Sequence, residues 1–363
     1  MDFDFPAEQQ ALADALGRRL AARTPDEPAW AAVTELGVTS LAVAEAHGGF
    51  GGSAADLYLA FQCLGRQRAT SPLWGTAVAA QALAWAGTAR QQSLLPAIAS
   101  GEQRIALAFG ERALRHALTP VGVTGRLRSD GTQLQLQGTK TQVLFAEDAD
   151  AWLVSAQVAA HTRLLLVPRS TPGVQLRPYL TFDGQPGADV CLDDACVDAS
   201  CLLPGDDAGT LLQRLADYGA ALLCAEAVGL MECAKDTTLD YLKTRQQFGR
   251  PLSEQQVLQH RMVDLLIHLE QARSMALLAA AHADSDAAVQ RVRHVAAAKA
   301  MVGEAGRFVG QQSVQMHGAM GLTQECAVSG ILKRLTAIDL SCGDTEHHLA
   351  RLAELQMYEH DFA

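Results

Sequence analysis

Twice along this chain the spacing of apolar residues changes period, near residue 105 and again near residue 208. A helix repeats its buried face every 3.6 residues and a strand every two, so such a chain must divide into helical, β and helical blocks. In the first block, residues 7–22 set Leu12, Ala15, Leu16, Arg19 and Leu20 at three- and four-residue steps. From about 105 to 205, Leu134 and Leu136 alternate with Gln133, Gln135 and Gln137. Short apolar runs follow at 152–155, 164–167 and 190–192, punctuated by Pro168, Pro172, Gly173, Gly184, Pro186 and Gly187. Short strands between frequent turns predict a small β domain, and no helix-period stretch separates them, which argues against βαβ units and a Rossmann sheet. Beyond 208 helical patterns cover roughly 208–244, 286–317 and 345–357, and Val257, Met262, Leu265, Leu266, Leu269, Ala272 and Met275 form a further stripe. Ser253 with Gln256 three residues on predicts a capping box for that helix. The expected fold is α+β, mainly α: an N-terminal helical domain (1–105), a middle small β domain (106–205) and a C-terminal four-helix bundle (206–363).

The 363 residues exceed what one small core can organise, so two or three subdomains are expected. Hydrophobic residues make up 49% and charged residues 19%, the balance of a soluble globular protein. Lys plus Arg number 29 against 40 for Asp plus Glu, and the formal charge of −11 argues against a general nucleic-acid surface. Asp2 and Asp4 stand where a secretory signal would carry Lys or Arg, and no run of 18 uncharged apolar residues occurs. A cytoplasmic protein that does not enter the membrane is expected. None of the eight cysteines forms a Cys-x-x-Cys pair, which predicts reduced, mostly structural thiols. Cys191, Cys196 and Cys201 lie five apart without a histidine nearby, so no metal site is expected.

Three segments invite a chemical reading. Residues 47–53, HGGFGGS, lack the Lys-Ser/Thr that a phosphate loop requires after its glycines, and read as a turn between helices. Residues 245–256, RQQFGRPLSEQQ, join two bundle helices. A guanidinium at such a corner can hold a phosphate through two parallel hydrogen bonds, with the amides of the next helix start as further donors. Equally, Arg245 and Arg250 can cap a helix end and meet water. In residues 315–325, QMHGAMGLTQE, Gly318 and Gly321 expose backbone to a flat ligand, or simply end a helix.

Taken together, RQQFGRPLSEQQVLQH (245–260) and QMHGAMGLTQE resemble the acyl-CoA dehydrogenase family, with weaker support from ELGVTSLAVAEAHGGFGG (35–52) and from residues 138–154. The resemblance spans essentially the whole chain, and the helix–β–helix order agrees with that family's fold. It implies FAD lying between the β domain of one subunit and the bundle of its neighbour. On the matching positions, Arg245, Gln247, Phe248, Leu252 and Gln255 would hold the adenosine and diphosphate portion. Gln315, Met316, Gly318 and Ala319 would line the same cofactor, Ala319 replacing the family's second glycine, and Thr345 would sit near the remaining flavin contact. The implied reaction is α,β-dehydrogenation of an acyl-CoA thioester: a desolvated carboxylate takes the α-proton while the β-hydrogen leaves as hydride to the flavin. The implied electron acceptor is electron-transfer flavoprotein.

The departures from the family pattern are as informative as the matches. Aligning Thr345 on the family's Tyr-Glu-Gly-Thr segment puts Gly343 at the glutamate and Cys342 at the tyrosine. The alternative base position, on the first bundle helix, falls on Gly219. Nearby acids are Asp344, Asp217, Glu226 and Glu346. Asp344 is the candidate base, Asp217 and Glu226 are alternative bases, Glu226 is also a candidate structural carboxylate, and a base missing from this chain is the remaining reading. The family's Thr-Glu-Pro-x-Ala-Gly-Ser-Asp loop keeps only Glu111, and its Lys-x-Trp-Ile-Thr run appears as Lys140-Thr-Gln-Val-Leu144, with Gln142 and Leu144 at the ring-flanking positions. The bundle half that grips a neighbour's FAD is kept while the β half is eroded. The expected protein is therefore one subunit of an α2β2 heterotetramer with a catalytic paralogue, as in bacterial members that degrade CoA-linked lipid or steroid fragments. A self-sufficient homo-oligomer with a displaced base, a related oxidase or monooxygenase, and a non-catalytic scaffold or binding subunit are the alternatives.

Overall fold

The computed structural model describes residues 5–24, 27–129 and 131–361, with side chains through residue 357. The acidic N-terminal residues Asp2 and Asp4, on which the reading of a leaderless start rests, lie outside the described residues. The chain is α+β, mainly α, and forms two compact units. One comprises Asp26–Asp56 and Thr70–Gly219, the other Met1–Pro25, Leu57–Ala69 and Ala220–Ala363.

The first of these units holds α2 (Ala29–Glu35), α4 (Leu73–Ala86), the short α5 (Ala89–Gln92) and α6 (Leu95–Ala99), and a seven-stranded sheet. Helix α4 is alanine-rich, and its residues Thr76 through Leu83 are all buried, the pattern of a helix enclosed on every side. Thr88 and Gln91 exchange side-chain and backbone bonds as a capping box that starts α5. The strands are β1 (Ile105–Ala108), β2 (Thr124–Leu127), β3 (Gln133–Leu144), β4 (Ala151–Val158), β5 (His161–Pro168), β6 (Val174–Leu180) and β7 (Pro186–Asp198). Their order is β1-β4-β2-β3-β7-β6, with β5 antiparallel to β4. β1 and β2 each run parallel to β4, whereas β2–β3, β3–β7 and β7–β6 are antiparallel. Among the described residues no helix lies between β1 and β4 or between β2 and β4, so neither parallel pair is a βαβ crossover. Alternation in β3 buries Leu134 and Leu136 beside Trp152, Val154, Leu165 and Val190.

The other unit holds α1 (Ala7–Ala21), most of α3 (Ala54–Arg66), and the C-terminal helices. α7 (Gly209–Thr244) is one unbroken helix that belongs to the sheet unit up to Gly219 and to the helical unit from Ala220. α8 (Gln256–His282), α9 (Ala288–His317) and α11 (Thr345–Asp361) follow the expected pattern. A fifth helix, α10 (Ala327–Leu340), was not among the four expected; it buries Val328, Ile331, Leu335 and Ile338. α9 is the central rod, and its Gly306 and Gly310 let Leu335 and Leu332 of α10 approach where a methyl group would stand 3.4 and 2.8 Å from them. The capping box predicted from Ser253 and Gln256 is not formed. Ser253 lies in a short 3-10 turn, Leu252–Glu254, and α8 begins after Gln255, which makes no side-chain cap bond.

Candidate functional site

The corner between α7 and α8 is a hairpin in miniature. Arg245 N–H donates to Tyr241 O at 2.8 Å, ending the helix, and Leu252 N–H returns to Arg245 O at 2.9 Å. Between them β8 (Gln246–Gln247) pairs antiparallel with β9 (Arg250–Pro251) across a two-residue turn of Phe248 and Gly249. Both turn residues are left-handed, with φ of 54° and 79°, the backbone that two-residue hairpins need to match strand twist. Glycine adopts it freely, whereas a phenylalanine there is uncommon. The ring gains no burial in exchange: Phe248 is 91% exposed. Arg250 Nη2 donates to Gln255 Oε1 at 3.0 Å, Gln247 Nε2 donates to Gln246 O, and Leu252 is half-buried. The exposed Arg245 guanidinium has no hydrogen-bond or ion-pair partner among the described residues.

The second segment begins at the last turn of α9. Gln315 is exposed, Met316 is turned into the bundle, and His317 is buried. Gly318 then breaks the helix at φ 62° and ψ −142°, opening a 3-10 turn, Gly318–Leu322, on which Gly318, Ala319 and Met320 are exposed. Tyr241 and His317 join the two segments, their rings stacked at 4.4 Å between centroids with 22° between planes. The fold thus brings Arg245 and the 315–319 segment together through a pair that motif reading passed over. A tyrosine four residues before Arg245 and a histidine beside Gly318 were visible, but nothing in a linear sequence says that they meet.

Thr345 and Asp344 lie elsewhere. Thr345 packs against Gly303 of α9, twelve residues and about 18 Å of helix before Gln315. Its hydroxyl donates to Asp339 Oδ1 at 2.9 Å, and its backbone N–H points to the same oxygen. Asp344 Oδ1 accepts the backbone N–H of His347 at 2.9 Å, so this carboxylate caps α11 and is buried there. Cys342 and Gly343 before it are left-handed, with φ of 56° and 97°. The buried Lys299 ammonium holds their turn closed, donating to Asp339 O and Gly343 O at 2.8 Å each. Burial lowers the Lys299 pKa, and Cys224, Asp339, Cys342 and Asp344 raise it in partial compensation. His348 Nε2 lies 3.0 Å from Cys342 O. Burial, then the charges of Lys299 and Arg351, push this imidazole down to about 3, so it is neutral and donates from Nε2. A side chain on Gly343 would run into the His347 ring and come within 2.8 Å of His348 Nε2.

The other carboxylates also have structural partners. Glu226 forms a two-pronged pair with Arg334, at 2.7 and 2.9 Å. Asp217 is fully buried and accepts from Gln213 Nε2 at 3.2 Å. Gly219 carries no acid, and Trp74 closes over it: the indole N–H donates to Gly219 O at 3.0 Å, and an added methyl would sit 3.2 Å from the ring. In the sheet, Glu111 is buried, and it accepts the N–H groups of Val121, Gly122 and Val123 and the Lys140 ammonium at 2.7 Å. Burial raises the Glu111 pKa, but these bonds outweigh it and hold the carboxyl below its ordinary range. Lys140 also donates to Ser155 Oγ and Phe109 O. Its one matching residue in the eroded loop therefore serves the fold. At Gln142 the strand bulges with φ 56°, and its N–H donates to Tyr179 Oη, which in turn donates to Asp189.

Two sequence families match the chain: "Acyl-CoA dehydrogenase, N-terminal domain" over residues 7–102 and "Acyl-CoA dehydrogenase, C-terminal domain" over residues 209–357. The probable acyl-CoA dehydrogenase YngJ of Bacillus subtilis is 30% identical over 86% of this chain and 85% of its own length. Among solved structures, a variant of the Tcur3481-Tcur3483 steroid ACAD is 29% identical with a TM-score of 0.84, covering 98% of both chains. The ChsE4-ChsE5 complex from Mycobacterium tuberculosis is 26% identical with the same score and the same coverage of both chains.

Proposed function

Because the chain belongs to the acyl-CoA dehydrogenase family, whose members are oxidoreductases acting on the CH–CH group of acyl-CoA, we propose that it is one subunit of an FAD-dependent, hetero-oligomeric dehydrogenase. In this reading the chain contributes the grip on the ADP end of FAD, and a paralogous subunit supplies the base. The observation that carries it is Gly343, where a left-handed backbone and two histidine rings leave no room for the family's glutamate. Asp344 beside it is engaged as a helix cap. Further support comes from the names of the similar structures, one a complex of ChsE4 with ChsE5, another pairing Tcur3481 with Tcur3483. The second is called a steroid ACAD, which makes a bulky lipid or steroid acyl-CoA the favoured substrate class.

The residues present fit one end of the dinucleotide. Arg245, Gln255, the uncapped start of α8 and the exposed Gln315 amide offer donors that the chain itself leaves largely free, and Gln247 would turn from its bond to Gln246 O. Arg245 would hold the diphosphate, Phe248 and Leu252 would cover the adenosine, and Gln315, Met316 (through its backbone) and Ala319 would line it. Thr345 would be a flavin contact only after giving up Asp339. FAD, when bound, supplies the electron sink for desaturation. The proposal also places the enzyme in the cytoplasm, with electron-transfer flavoprotein as acceptor, and divides the chain into domains at about 105 and 205. No helix of the described residues is long and apolar enough to cross a membrane.

Expression alone and with the neighbouring paralogue tests the proposal. The lone chain is expected to be colourless and the co-purified complex yellow, and Arg245→Ala in the complex is expected to weaken FAD binding by about 2–4 kcal/mol. A lone chain with stoichiometric flavin and turnover would replace this reading with the self-sufficient one. Asp344→Asn, which keeps the helix cap but not the charge, would then decide whether Asp344 is the base.

A further inference from the structure

The family motifs give no role to Tyr241 or His317, yet their stack links the Arg245 hairpin to the Gly318 turn. Each partner is tied to its own segment. The peptide carbonyl of Tyr241 accepts the N–H of Arg245 at 2.8 Å, so the residue that carries the ring also anchors the start of the hairpin. Thr244 Oγ1 donates to the carbonyls of Asp240 and Tyr241 and fixes the same turn. Across the gap, His317 Nδ1 lies 2.8 Å from Ser313 O, and because a carbonyl only accepts, Nδ1 carries the proton. That bond sets the ring plane in the last turn of α9, one residue before Gly318 breaks the helix. His317 is 4% exposed, whereas Arg245, Gln315, Gly318 and Ala319 are all exposed.

We infer that Tyr241 and His317 are positioning residues that lock the two donor-bearing segments into a single nucleotide-binding surface. The inference rests on the reading that these segments grip the ADP end of FAD. An aromatic stack of this kind shifts an equilibrium by roughly two- to twelvefold. That is small beside the packing of five long helices, but enough to set how often two exposed turns are ordered together. The pair acts through Arg245 and the Gly318 backbone and need not touch the ligand.

The test has a ligand-free arm and a flavin arm, both on the full chain. In hydrogen exchange, Tyr241→Leu and His317→Leu are each expected to speed exchange both at the Leu252 amide and across residues 318–322. Tyr241→Phe, which keeps the stack, is expected to restore the wild-type rates. Where Tyr241→Leu does not fold, Tyr241→Met takes its place. In the flavin-carrying assembly, Tyr241→Leu or His317→Leu is expected to raise the FAD dissociation constant roughly fivefold. The double variant should lose no more than either single one, because the pair acts as a unit. Faster exchange confined to the segment that carries the mutation, or additive losses, would overturn the inference. Arg245→Ala separates the two claims: if it leaves FAD affinity unchanged, the nucleotide reading fails, and exchange alone then judges the coupling.

Discussion

At Gly343 a glutamate is excluded twice, by a backbone at φ 97° and by the rings of His347 and His348. The sequence alone shows that glycine stands at the expected base position; that the space has been filled is a tertiary fact. The same holds for Glu111, the one residue kept from a family loop, which pairs with the Lys140 ammonium and accepts three backbone N–H groups. His348 gives the rebuilt corner a pH signature. Its imidazole, ordinarily near 6.5, is pushed to about 3 in the folded chain, first by burial. Between those values the unfolded chain binds a proton that the folded chain refuses, so stability complete above pH 6.5 drains away on acidification by about 1.4 kcal/mol per unit. His348→Gln, whose amide can take over the bond to Cys342 O, is expected to flatten this acid limb. Urea unfolding between pH 6 and 4 measures it, and an undiminished slope would mean that the imidazole is not the group responsible.

Among the elements, those whose burial repeats with a clean period were legible. β3 was announced by its leucine–glutamine alternation, and the long C-terminal helices by stripes that recur along their lengths. α10 was missed although Val328, Ile331, Leu335 and Ile338 are correctly spaced. Its stripe is only one residue per turn over a short helix, and it makes sense only beside the glycine row of α9. The start of α8 was misjudged because Ser253 has the right composition for a cap, yet the 3-10 turn places Gln255 at the boundary. The sheet's Glu111–Lys140 pair joins the loop after β1 to β3, and both side chains are almost wholly buried. Glu111→Gln would strand the lysine in the core and is expected to cost about 3–5 kcal/mol, read as a lower urea midpoint. Pairing it with Lys140→Met should recover much of the loss, since an apolar replacement leaves no charge unmatched.

For the whole molecule, eight cysteines, all free, describe a chain that keeps its shape without covalent staples. Burial pushes the Cys63 thiol up to about 11 and Cys224 up to about 12, so neither is nucleophilic near neutrality. The denatured chain, purified without reductant, is expected to titrate as eight thiols, the native chain as fewer, and the melting temperature should ignore dithiothreitol. A lower denatured count would reveal a disulfide. The family was legible from the segments at 245–260 and 315–325, where arginine, phenylalanine and glycine stand at spacings that no core periodicity requires. Which residues line up across space was not, since Tyr241 and His317 lie 76 positions apart.

Phe248 stands out from the Arg245 hairpin. Its ring is raised on two left-handed residues with 91% of its surface in water, a placement that costs conformational energy and returns none to the isolated chain. On the proposed hetero-oligomer, a polypeptide made in excess of its partner would keep that ring in water as a greasy handle for chaperones and proteases, so synthesis in matched amounts would double as quality control.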